Sequence, residues 1–142
     1  MLHLRKSKKG FTLIELMVVV AIIGVLSLLG LRLYLGQQQK AKNAVVKANV
    51  GTIQTLIQAE LADTTSADVA IMVATPDGLF AKSGIHIPDG GPQTANGVAL
   101  PSGVIGTVYV VYVGTSGDAH FKINGNGFDD KDVFAEPLIA RK

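Results

Sequence analysis

Residues 11–31, FTLIELMVVVAIIGVLSLLGL, are 21 consecutive positions with a single charge, Glu15. A helix needs about 20 predominantly apolar residues to cross a bilayer, so this run is expected to span one. Arg5, Lys6, Lys8 and Lys9 lie just ahead of it. Basic flanks hold an N-terminus on the cytoplasmic side, which places everything after Arg32 across the membrane. A removable secretory signal has an apolar core of only about 7–15 residues before a small-residue cleavage site. The run here is longer and offers a poor site near Gly30. A plain anchor accounts for the hydrophobicity but leaves Glu15 unexplained. A carboxylate in a spanning segment costs about 3 kcal/mol and marks function by default.

Lys9-Gly10-Phe11-Thr12-Leu13-Ile14-Glu15 resembles the processing motif of type IV prepilins and of the pseudopilins of type II secretion systems. The likeness extends through Gly24 and Tyr34. It implies a leader, residues 1–10, removed by cleavage between Gly10 and Phe11, and N-methylation of Phe11 by the same membrane peptidase. Cleavage there creates an ammonium group about one helical turn from Glu15. The resemblance implies that Glu15 serves assembly by pairing with the Phe11 amine of a neighbouring subunit, so the carboxylate finds its counter-charge inside the membrane. Many family members have a proline where this chain has Arg32. Gly24, Gly30 and Gly36 fall six apart instead, each costing about 1 kcal/mol of helix propensity relative to alanine. They supply helix flexibility by another route, or close helix packing through small residues.

Beyond Arg32 the pattern turns amphipathic. Ala41, Ala44, Val45, Ala48, Ile53, Leu56, Ile57 and Leu61 recur mostly at helical spacing, predicting one buried face. One helix is therefore expected from Phe11 to about Ala62, roughly 78 Å long at 1.5 Å per residue. Lys40, Lys42 and Lys47 lack interleaved aromatics and read as a solvated helix face rather than a nucleic-acid footprint. Residues 63–97 are expected to be loop-rich, with at most a short helix near Val69 to Val73. Pro-Asp-Gly turns are expected at Thr75 to Gly78 and at Ile87 to Gly90. Val104 to Val113 and Ala119 to Ile123 predict a hairpin around GTSGD. A third strand through Val133 to Ala140 is demoted to an edge or bulge by Pro137. The expected fold class is α+β, a long N-terminal helix packed on a small antiparallel C-terminal sheet. The expected domains are the leader 1–10, a transmembrane and filament-core helix 11–35, an amphipathic helical half 36–62, and a globular head 63–142.

Asn124, Asn126, Asp129, Asp130 and Asp132 fall within nine positions, but their spacing does not match an EF-hand loop. A polar surface turn is the preferred reading, with no metal and no cofactor. His86 reads as a loop residue and His120 as a solvent-facing strand residue, and no nucleophile elbow, phosphate loop or paired-histidine motif is present. The chain has no cysteine, which excludes a disulfide framework. Without residues 1–10 it carries 9 basic against 11 acidic side chains, so its basic character belongs to the leader and nucleic acid is not expected as a partner. Five Phe and three Tyr form no ladder along the helix, so electron conduction is not expected.

The resulting expectation is a non-enzymatic subunit of an extracellular type IV pilus. Its partners are copies of itself, the prepilin peptidase and methyltransferase, an inner-membrane assembly platform, and the membrane before assembly. The precursor lies in the inner membrane with its N-terminus cytoplasmic and its head outside. The alternatives are a pseudopilin of a secretion or DNA-uptake system, and a membrane-anchored binding module that does not polymerise.

Overall fold

The computed structural model describes residues 10–75, 77–90, 93, 105–114, 118–129 and 131–142. The basic leader positions, Pro76 of the first turn, Val104, residues 115–117 of the hairpin turn and Asp130 lie outside the described residues. The chain divides into two compact units, Met1–Gln37 and Gln38–Lys142. The first helix, α1, covers Leu13–Asp63 and contributes to both.

In the first unit every residue from Gly10 to Gln37 is exposed. That is the expected state of a segment whose natural surroundings are lipid or other helices, because apolar side chains on all sides leave no polar face for water. In the second unit α1 buries Val46, Val50, Ile53, Ile57 and Leu61. This corrects the expected face. Ile53, Ile57 and Leu61 are buried and Leu56 partly so, but Ala41, Ala44, Val45 and Ala48 are exposed. Val46 and Val50 take their place because a valine removes more apolar area from water than an alanine.

Thr65 caps the second helix, α2, Ser66–Ala74, accepting a hydrogen bond from the Asp68 amide at 3.3 Å. The third, α3, Leu79–Ser83, begins after Gly78 and ends at Gly84, whose φ of 66° supplies the left-handed stop. The expected loop between residues 63 and 97 thus contains a second helix. Five residues are too few for a periodic pattern to reveal it. Both turns form, with Gly78 N–H donating to Thr75 C=O and Gly90 N–H to Ile87 C=O.

Strands β1, Val108–Val113, β2, His120–Gly125, and β3, Leu138–Arg141, make an antiparallel sheet in that order. Val113 pairs with His120 at the hairpin end, and Phe121 pairs with Ala140 on the other side. The inner face presents Val108, Val110, Phe121, Ile123 and Ala140 to α1, α2 and α3, closing one core. The third strand starts after Pro137 rather than at Val133. Residues 133–134 pair differently. The Val133 amide donates to Gly125 C=O at 2.8 Å, and Phe134 is held by the side chain of Asn124. Asn124 is 1% exposed. Its amide nitrogen donates to Phe134 C=O at 3.0 Å, while its oxygen accepts from the amides of Phe134 and Gly125. Gln93 does the same at the opposite edge, bonding both the N–H and the C=O of Val108. Two buried side-chain amides therefore replace ladder partners that the backbone does not supply.

Candidate functional site: the N-terminal assembly surface

The start of α1 is built by Thr12. Its carbonyl accepts from the Leu16 amide at 3.3 Å, and its hydroxyl accepts from the Glu15 amide at 3.3 Å. Glu15 reaches back, its Oε2 accepting from the Thr12 amide at 2.9 Å and from the Thr12 hydroxyl at 2.7 Å. This is a reciprocal capping box, in which cap and carboxylate satisfy one another's donors. The sequence signal was available as Thr-x-x-Glu ahead of an apolar run, and the prepilin-like reading of Glu15 passed over it. Glu15 consequently has a local role in every copy of the chain, whatever it does between copies. The box fixes the carboxylate within one turn of Phe11, which is 92% exposed. Gly10 is exposed as well.

Gly24, Gly30 and Gly36 all lie within α1, and a β-carbon built on any of them meets nothing within 4 Å. No contact among the described residues requires a glycine at these positions. In the second unit α1 presents a further stripe opposite its core face. Ala41, Val45, Ala48, Thr52, Thr55, Ala59 and Ala62 alternate at spacings of four and three, and all are exposed. Small uncharged residues at coiled-coil spacing let another helix approach closely.

Lys42 pairs with Asp89 at 2.5 Å and lies 4.8 Å from the Phe128 ring centre, and Lys47 sits 5.6 Å from that of Phe134. These two lysines secure surface loops rather than forming a free solvated face, whereas Lys40 is exposed. Asn43 joins them by accepting from the Phe128 amide at 2.7 Å.

Three of the would-be calcium ligands are engaged with partners elsewhere in the head. Asn124 is spent on Phe134, Asp129 accepts from Asn43 at 3.4 Å, and Asp132 accepts from the Tyr109 hydroxyl at 3.0 Å. Among the described residues no three His, Asp or Glu side chains converge on a point. Burial, and then the hydrogen bond and charge of Asp132, push the Tyr109 hydroxyl up to about 12. His120 lies on the outer face of the sheet, as read, but is only partly open to solvent. Its side chain is 15% exposed, with Nδ1 at 2.9 Å from the Asp118 carbonyl and 3.8 Å from its carboxylate. His86 is an exposed residue following α3, as read.

Residues 5–31 match the family described as the prokaryotic N-terminal methylation motif. The chain is 36% identical over 81 residues to the type IV major fimbrial protein FimA of Dichelobacter nodosus, covering 57% of this chain and 51% of the relative. These matches support the type IV pilin and pseudopilin family. Fimbrial protein EcpB of Eikenella corrodens is 46% identical over 55 residues, 39% of this chain and 35% of its own length. The type II secretion system core protein G of Pseudomonas aeruginosa is 35% identical over 92 residues, 65% of this chain and 60% of its own. The chain thus spans about half the length of the curated relatives it matches first. No solved structure matches it. The motif and the apolar helix fit a membrane-anchored precursor of a fimbrial-type subunit.

Proposed function

We propose that the chain is a structural, non-enzymatic filament subunit. It is made as an inner-membrane precursor, cut between Gly10 and Phe11, N-methylated at Phe11, and polymerised into an extracellular type IV pilus by packing of its N-terminal helices. The observation that carries this reading is the capped start of α1, where a carboxylate is held within one turn of the proposed cleavage point at the head of an apolar helical segment exposed on every side. An exposed helix of that kind is stable only among lipids or among copies of itself. Residues 11–35 serve as membrane span and filament core, 36–62 as the amphipathic half, and 63–142 as the head. Glu15 pairs with the Phe11 amine of the neighbouring copy. In the same reading Thr12 is the positioning residue that aims the carboxylate, and the small-residue stripe from Ala41 to Ala62 extends the helix contact. Gly24, Gly30 and Gly36 permit close packing or bending. The prepilin peptidase and the assembly platform do the covalent and mechanical work.

The likeness to a secretion core protein over 65% of the chain favours a second reading, in which the filament is a periplasmic pseudopilus. Peptide mass spectrometry on material sheared from cells tests both. A chain starting at methylated Phe11 in the sheared fraction supports the pilus, and a processed chain confined to the envelope supports the pseudopilus. Uncut Met1 material alone, in a host with an active prepilin peptidase, refutes both and favours a non-polymerising anchor.

A further inference from the structure

Between Phe11 and Gln39 the only charged side chains are Glu15 and Arg32, both on the uninterrupted helix α1. At 1.5 Å per residue they stand about 25 Å apart along its axis, too far to pair within one chain. Arg32 is exposed, and no ion pair among the described residues involves it. The apolar run ahead of it, residues 11–31, is about 31 Å long as a helix, against about 30 Å of hydrocarbon in a bilayer. With Phe11 at the cytoplasmic boundary, Arg32 is the first side chain beyond the outer one. Tyr34, exposed between Leu33 and Leu35, adds an aromatic ring of the kind that collects at headgroup level. Glu15 by contrast lies about 6 Å inside the inner boundary. The two charges therefore pull the helix in opposite directions. A slide of one turn towards the cytoplasm would release Glu15 to water and drag Arg32 into hydrocarbon.

We propose that Arg32 binds the phosphodiester headgroups of the outer leaflet and thereby holds Glu15 at its depth in the bilayer. A guanidinium presents a planar fork of N–H donors that fits phosphate oxygens in pairs. Its apolar stem lies along the helix while the charged end reaches the interface. The basic residues ahead of Phe11 resist movement outward, and Arg32 resists movement inward. Cleavage after Gly10 removes only the first of these brakes, so a processed helix is free to leave outward and still cannot sink. The site rests on the membrane-precursor reading and accounts for how Glu15 stays available to a neighbouring copy.

Full-length protein with Arg5→Lys and Arg141→Lys keeps Arg32 as its one arginine. Labelled at the guanidino carbon and reconstituted in vesicles of phosphatidylethanolamine and phosphatidylglycerol, it should show a carbon–phosphorus contact at about 4–5 Å by solid-state NMR. The chain has no cysteine, so single cysteines report depth without background. In membrane vesicles Leu35→Cys should react with an impermeant maleimide from the outer side, and Leu13→Cys should be protected from the inner side. Arg32→Leu extends the apolar run to residue 35, about 37 Å. It should lower labelling at Leu35→Cys and raise it at Leu13→Cys, each about fivefold. Arg32→Lys should keep the parental pattern. Glu15→Gln added to Arg32→Leu should return labelling to within about twofold of parental, because the inward pull is gone. A fall at Leu35→Cys with no rise at Leu13→Cys means tilting instead of sliding and overturns the proposal, as does a slide that Glu15→Gln leaves in place. Normal filaments from a chain with no phosphorus contact overturn the headgroup site and leave the filament reading standing. The contact and both labelling shifts, in a chain that never forms filaments, uphold the site and refute the filament reading.

Discussion

Replacing Gly125 by alanine tests how α1 is seated on the sheet. A β-carbon there would lie 2.5 Å from Val46 Cγ1, 3.1 Å from Val50 Cγ2 and 3.3 Å from the Thr107 carbonyl oxygen. Val46 cannot turn aside, because it is fully buried and a β-branched side chain in a helix has one strongly preferred rotamer. Overpacking of this kind costs about 1–3 kcal/mol. Loss of glycine freedom in the unfolded chain returns about 0.4–1 kcal/mol, for a net destabilisation of about 1–2 kcal/mol. At a urea dependence of about 2 kcal/mol/M, the unfolding midpoint should fall by about 0.5–1 M. Pulse proteolysis of the full-length protein in micelles across a urea series reads that midpoint. The clash is specific, so Val46→Ala combined with Gly125→Ala should lose about 1 kcal/mol less than the two single losses added together. A parental midpoint for Gly125→Ala, or strict additivity in the pair, would refute the close approach of helix and strand.

Thr12→Val removes the cap and should destabilise the first turn of α1 by about 1 kcal/mol, seen as roughly fivefold faster amide exchange at Glu15 and Leu16. Glu15→Ala should abolish filaments while precursor of parental abundance remains in the membrane fraction. A normal yield in a shear assay removes Glu15 from assembly. Tyr109 has a folded-state pKa raised from 10.0 to about 12, so its contribution to stability is complete below pH 10 and lost as pH rises through about 12. The urea midpoint should accordingly decline across pH 10–12, and Tyr109→Phe should flatten that part of the profile. An unchanged slope in the variant would show that another group governs it.

The membrane-length run, the continuous helix and the hairpin were legible in the sequence because each is a long pattern with a single physical reading. The buried face of α1 was only half legible. Its second half carries two stripes near the same spacing, small residues from Ala41 to Ala62 and larger ones from Val46 to Leu61, and periodicity alone cannot say which faces the head. Side-chain volume decides, since the larger stripe buries more apolar area. Helix α3 escaped notice because Gly78 and Gly84 bound too short a segment. The start of the third strand was misplaced because residues 133–134 are paired by an amide side chain, which leaves no mark in a pattern of alternation. The charge of Glu15 stands out in an apolar run and the hydroxyl of its partner Thr12 does not, although the cap is a contact between residues three apart.

Asn124 has a further consequence, for chemical lifetime. It precedes a glycine, and an asparagine followed by glycine is the dipeptide most exposed to loss of its side-chain ammonia. Conversion to aspartate would exchange one NH2 for an oxygen with almost no change in volume. Yet the group that now donates to Phe134 C=O would become an acceptor facing an acceptor. The tie between β2 and the segment leading to β3 would turn repulsive. The hold of this corner of the sheet therefore depends on the survival of one side-chain carbon–nitrogen bond as well as on the packing around it.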